Sequence, residues 1–140
     1  MNTPTREQLK VIFKKAKHLR LPANLEEIDF SPLKYFGWLD ETDRVYYMLY
    51  ESSSELIGIR WEVLKLSNTT MKLGMCDICL KHRPLSSIQF VSTKTRKLPK
   101  GVYYRTRGRY ICSDCFECNK DMKDNKGIED LVKSITNEDE

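Results

Sequence analysis

Every thiol of this chain lies in one of two short clusters, Cys76-x2-Cys79 and, beyond residues 80–111, Cys112-x2-Cys115-x2-Cys118. A C-x2-C step is a tight turn that aims two sulfurs at one point. Two such turns supply the soft, tetrahedral donor set that zinc prefers. Disulfides or isolated buried thiols do not account for overlapping C-x2-C steps. The odd number of cysteines, five, and the lack of an N-terminal apolar stretch argue against secretion and for a reducing cytoplasm. The expectation is one structural zinc ion. Spacing alone favours Cys112 with Cys115 as the second ligand pair. His82, three residues after Cys79, reads as a surface histidine.

The remaining bulk properties limit the fold without naming a job. A chain of 140 residues suits one compact unit or a small domain with a metal-stapled lobe. No apolar run approaches the roughly 18 residues of a membrane span. The net charge of +4 is mild, but its distribution is uneven. Residues 1–20 carry Arg6, Lys10, Lys14, Lys15, Lys17 and Arg20 against Glu7. Between the cysteine clusters, residues 86–111 hold Lys94, Arg96, Lys97, Lys100, Arg105, Arg107 and Arg109 with no acid. Segregated positive charge points to an anionic partner, either nucleic acid or an acidic protein.

Thr5 and Gln8 have the spacing of a capping box. Leu9, Ile12, Phe13, Ala16 and Leu19 follow at helical intervals, which predicts a helix ending near Arg20, before Pro22. Residues 21–34 read as a connection. Tyr35–Leu39, Val45–Tyr50 and Leu56–Leu66 read as antiparallel strands, with Gly58 as a candidate bulge. Ile57, Ile59, Trp61 and Val63 share one face of the third strand, and the helix stripe is the expected cover for that apolar face. Ile88–Val91 is expected to pair with Val102–Arg105, extended by Arg109–Ile111. Helices are expected over 114–123 and from Ile128 to Ile135, before a frayed tail at 137–140. The fold class is therefore α+β: an N-terminal helix packed on a small antiparallel sheet, then a treble-clef zinc finger and a C-terminal helix. Residues 1–70 form the helix-and-sheet lobe and residues 71–140 the zinc-finger lobe.

Several stretches together resemble a known family. These are Gln8-Leu-Lys-Val-Ile-Phe-Lys-Lys15, Tyr35-Phe-Gly-Trp38, Cys76-Asp-Ile-Cys79 and Tyr110-Ile-Cys-Ser-Asp-x-x-x-Cys118-Asn-Lys120. In this order they resemble the FusB-type elongation factor G-binding proteins, whose members confer resistance to fusidic acid. The resemblance runs from about residue 4 to residue 135 and covers the family's C-terminal zinc-finger domain; family members carry a further N-terminal helical bundle. It implies that Cys76, Cys79, Cys112 and Cys118 hold the metal and that Cys115 is free or an occasional substitute ligand. It also implies that the finger docks on elongation factor G and promotes its release from a ribosome on which the drug has trapped it. Met75, Arg107, Tyr110 and Leu131 are the residues the resemblance places at that contact.

Zinc-dependent RNA binding, on the ribosome or its RNA, is the alternative, because the basic segment carries Tyr103, Tyr104 and Tyr110 for base stacking. An enzyme is not expected. A four-thiolate site has no open position for water, and His18 and His82 are unsuitably spaced to serve a catalytic centre. No phosphate-cradling glycine loop is present. The chain is expected to act as a monomer away from membranes.

Overall fold

The computed structural model describes residues 1–53, 55–65, 73–93 and 108–136, which form mixed helix and antiparallel sheet. Helix α1 (Arg6–Ile12) precedes strands β1 (Tyr35–Asp40), β2 (Val45–Ser52) and β3 (Glu55–Leu64). Strands β4 (Leu73–Met75), β5 (His82–Pro84), β6 (Ile88–Ser92) and β7 (Arg109–Cys112) follow, then helices α2 (Cys115–Asp121) and α3 (Lys126–Thr136). The main sheet runs β1-β2-β3-β6-β7 with antiparallel neighbours, and β4 pairs with β5 as a separate hairpin. Pairing of β3 with β6, from Glu62↔Ser92 to Leu64↔Phe90, ties the cysteine-rich part to the sheet.

Val45–Tyr50 is buried at every position. Strand β2 has a neighbour on each side and cover on both faces, so an unbroken apolar run encodes it instead of an alternating one. Register assigns those faces. Phe36, Trp38, Tyr47, Leu49 and Gly58 lie on one, and Tyr35, Tyr46, Met48, Ile59 and Trp61 on the other.

Helix α1 packs on the first of these faces. Phe13 meets Trp38 and Tyr47 edge-on, with ring centroids 5.9 and 5.0 Å away. Trp38 stacks on Tyr47 at 5.2 Å. A Cβ at Gly58 would lie 2.3 Å from Ile12 Cγ2 and 2.8 Å from Phe13 Cζ, so the missing side chain is what lets the helix end approach the sheet. Two expectations are corrected here. Gly58 is not a bulge, because Leu49↔Gly58 and Met48↔Ile59 pair in unbroken register. Nor does the helix cover the Ile59 and Trp61 face. That face turns toward the cysteines, where the hydroxyls of Tyr46 and Tyr35 are buried close enough for thiolate charge to act on them.

The helix is also shorter than its apolar stripe predicts. The capping box forms, with Thr5 and Gln8 bonding each other's backbone N–H, but the helix ends at Ile12. The Phe13 N–H donates to Leu9 O, and the Ala16 N–H donates to Phe13 O at 2.9 Å. Continuing the helix would stack Lys14 over Lys17 at repulsive i,i+3 spacing. The turn instead sends Phe13 into the aromatic pocket while Ala16 and Leu19 still pack against the core. Arg20 then pairs with Asp40 at 2.8 Å and Asp43 at 3.0 Å, fixing the β1–β2 turn.

Strand β6 pairs with β7 from Ile88↔Cys112 to Val91↔Arg109. The expected arm at 102–105 and the expected frayed tail at 137–140 lie outside the described residues. No helix among the described residues is long and apolar enough to cross a membrane.

Phe13→Ala should destabilise the zinc-loaded protein by about 3 kcal/mol in urea unfolding, because it empties the pocket between Trp38 and Tyr47. Val11→Ala, at a side chain 69% exposed, should shift stability by less than about 0.5 kcal/mol. Equal shifts would contradict the seat assigned to Phe13.

Candidate metal centre

The first cysteine pair sits in a turn that the backbone builds directly after β4. The Cys76 N–H donates to Lys81 O at 3.0 Å, and the Leu80 N–H donates to Cys76 O at 2.9 Å. The Ile78 N–H points at Cys76 Sγ, 3.3 Å away. Leu80 closes the turn at φ 63°, a left-handed conformation that costs a residue with a side chain about 1 kcal/mol. The turn must therefore be held from outside. One support comes from α3, where a Cβ at Gly127 would lie 2.3 Å from Ile78 O and 2.9 Å from Asp77 O. The helix start rests directly on the turn's backbone.

The second group arrives from two elements. Strand β7 delivers Cys112, and Asp114 then caps α2 by accepting from the N–H groups of Phe116 and Glu117 at 2.9 and 3.4 Å. One helical turn further, the Cys118 side chain points back to the first pair. The sulfurs of Cys76, Cys79, Cys112 and Cys118 all lie within 4.8 Å of one another. Cys76 and Cys118 are 3.7 Å apart, as are Cys79 and Cys112. A zinc ion with bonds of about 2.3 Å would set sulfurs about 3.8 Å apart along the edges of its tetrahedron. All four residues are buried and none is in a disulfide. The donor set and its spacing fit zinc.

Electrostatics points the same way. Four thiols this close cannot all ionise unaided, since each thiolate opposes the next. Hydrogen bonds from Cys112 and Cys118 hold the Cys76 thiol far below its ordinary value, and hydrogen bonds with Cys112 and Cys76 push Cys118 far above it. A dication removes that conflict and lets all four ionise. A cation also stands at the rim. Arg83 Nη2 lies 3.5 Å from Cys79 Sγ and bonds Asp121 at the end of α2. Lys81 reaches the same carboxylate at 3.1 Å. These contacts bind the hairpin to α2 and hold the Asp121 carboxyl below the usual carboxylate range, the Arg83 hydrogen bond being the larger cause.

Cys115 is not in the cluster. Its thiol donates to Gly37 O at 3.5 Å, and burial pushes it up to about 11. The pairing of Cys112 with Cys115 that spacing favours is thus not what the fold brings together. The cap at Asp114 sets the phase of α2 so that Cys115 meets β1 and Cys118 meets the other sulfurs.

Asn119, next to Cys118, escaped the sequence reasoning except as part of a motif. Its side-chain oxygen accepts from the N–H groups of Lys34 and Tyr35 at 2.7 and 3.4 Å. Its amide donates to Tyr35 O at 2.9 Å and Cys115 O at 2.7 Å. One side chain therefore fastens the metal-bearing helix to β1. An amide with donors and acceptors beside a ligand was the available signal.

The residues expected at a partner contact are dispersed. Met75 is exposed on β4, across from the exposed His82 of β5, which stands outside the sulfur cluster. Tyr110 is half-buried, its ring 5.0 Å from that of Phe90, and its carbonyl accepts from the Asp77 N–H at 2.8 Å. Leu131 is buried but borders a groove of about 340 Å³ beside Asp77, Leu80 and Arg109. Arg107 lies outside the described residues. Sequence reasoning missed Leu73 and Leu80, each 53% exposed, which join Met75 as bare apolar side chains on the finger. The alternation Leu73-Gly74-Met75 carried that signal, since Gly74 faces inward against Ile88.

Against known proteins, the chain matches the family described as FBP C-terminal treble-clef zinc-finger over residues 10–139. It is similar to the solved structure of the fusidic acid resistance protein FusC, with 29% identity and a TM-score of 0.77. That match covers 97% of this chain and 60% of FusC. No curated protein matches it.

Cobalt titration followed by thiolate-to-metal absorption should give one ion per chain. Cys112→Ser or Cys118→Ser should lose the four-thiolate spectrum, whereas Cys115→Ser should keep both spectrum and stoichiometry. A Cys115→Ser protein that loses the ion would overturn the assignment.

Proposed function

The chain belongs to the FBP C-terminal treble-clef zinc-finger family, and on that premise we propose that it binds translation elongation factor G through its zinc-finger lobe. Binding promotes release of the factor from the ribosome and so protects against fusidic acid. One structural zinc ion, held by Cys76, Cys79, Cys112 and Cys118, shapes the lobe. The observation that carries this reading is the bare apolar patch of Leu73, Met75 and Leu80 on a hairpin only three residues deep in each strand. Exposed apolar side chains on a rigid support are what a protein partner covers. The likeness to a fusidic acid resistance protein supports the choice of partner.

Metal ligation reduces the ordering penalty of binding, because the patch is already in place when the partner arrives. Release follows from unequal affinity. A protein that binds the free arrangement of the factor better than the ribosome-bound one draws the factor off, and equal affinity would move nothing. The drug itself need not be touched. Tyr110 on β7 and Leu131 on α3 join this contact, and Arg107 adds a positive charge to it.

Direct RNA contact through residues 94–109 is less well supported. It rests on the charge of the sequence alone, whereas the likeness to a fusidic acid resistance protein favours a translation factor.

Calorimetry and co-elution with purified elongation factor G should show a complex of micromolar or tighter affinity, about −8 kcal/mol. Met75→Asp with Leu80→Asp should weaken it by at least about tenfold, roughly the loss of one buried anchor. Arg107→Glu should weaken it too, while Lys15→Glu should change it less than about twofold. No complex, or the same response to every change, would overturn this reading.

A further inference from the structure

The sheet face opposite the cysteines carries a feature that the metal centre does not use. Where α1 ends, the turn from Phe13 to His18 borders an open cleft of about 750 Å³ against β2 and β3. Ile12, Phe13, Tyr47 and Gly58 form its apolar floor. Its rim is cationic: Lys14, Lys15 and Lys17 from the turn and Arg60 from β3, with His18 beside them. All five of those side chains are exposed. Among the described residues, Lys14, Lys15, Lys17 and Arg60 have no ion-pair partner. The single acid in the lining, Asp43, is already engaged by Arg20 at 3.0 Å.

The cleft exists because of two local facts. Gly58 lets the helix end sink onto the sheet, and the helix stops before Lys14, so the cations of the turn stand over the floor instead of spreading round a cylinder. Like charges gathered this way repel one another and contribute nothing to folding by themselves. A bound polyanion would relieve that repulsion.

We propose that this cleft binds the phosphate backbone of single-stranded RNA. Two features support that ligand. The rim is mainly lysine, whose flexible point charges follow phosphate oxygens along a backbone without a fixed geometry. The cleft is open to solvent, as a passing strand requires, and lacks the enclosing donors of a site for a small anion. Its floor is apolar but already engaged, with Phe13 buried and Tyr47 stacked on Trp38, so the contact is with the backbone and not by base stacking. The site lies across the sheet from the finger and is independent of the function proposed above, so either can fail alone.

The test is fluorescence anisotropy with a short, fluorescein-labelled RNA of mixed sequence, using the zinc-loaded protein. Affinity should fall steeply with salt, with a log–log slope of about −3 if four phosphates are contacted. Reversing Lys14, Lys17 and Arg60 to Glu should weaken binding at least about tenfold and flatten the slope by about 2. The neutral set Lys14→Gln, Lys17→Gln and Arg60→Gln should move both in the same direction, which guards against a folding artefact. Reversal of the exposed Lys123 and Lys133, on the α2–α3 side, should change affinity less than about twofold. Equal losses from both sets, or no RNA binding at low salt, would overturn the proposal. So would cleft variants that keep RNA but lose elongation factor G, which would assign the cleft to a protein.

Discussion

Four thiolates held within 4.8 Å of one another are a tolerable arrangement only around a cation, and the cysteine-rich part is organised by that requirement. Its hairpin has three residues in each strand, too few to stand unaided in water. The α2 helix has seven residues, also below the length at which isolated helices persist. Each is fixed because it contributes a sulfur or supports one. Metal ligation of this kind is worth on the order of 10 kcal/mol in isolated finger peptides, comparable to the stability of an entire domain.

The cluster is then fastened to the rest by few, specific contacts. Asn119 sews α2 to the start of β1, Arg83 and Lys81 meet Asp121, and Gly127 lets α3 rest on the first turn. Because β6 and β7 extend the main sheet, the finger shares its core with the aromatic strands. The sheet in turn has two occupied faces: cysteines and α3 toward one, α1 toward the other. Two chemically different surfaces result. The finger shows bare apolar side chains, and the α1 side shows unpaired cations around an apolar floor.

Much of this was legible where one local rule decided the outcome. The unbroken Val45–Tyr50 run marks a strand covered on both faces, and the Thr5–Gln8 pair marks a helix start. Cysteine spacing announced thiolate metal chemistry. Where tertiary contacts choose between equally local solutions, the sequence was silent or misleading. The apolar stripe continues to Leu19, yet the helix stops at Ile12 because Phe13 has an aromatic pocket to fill and the lysines repel. Gly58 could equally mark a bulge or a close approach, and only the position of α1 decides. Spacing favours Cys115 over Cys118, and the phase set by the Asp114 cap reverses that choice. Asn119 acts through partners more than eighty residues away, which no local pattern reveals.

The most direct test of the central claim is amide hydrogen exchange with and without zinc. Chelation should strip protection from residues 73–84 and 115–136, the hairpin and the helices arranged around the sulfurs. The β1–β3 sheet, with its own aromatic core, should keep most of its protection. Unchanged protection around the cysteines after complete metal removal would contradict the account, because those elements would then be holding themselves together.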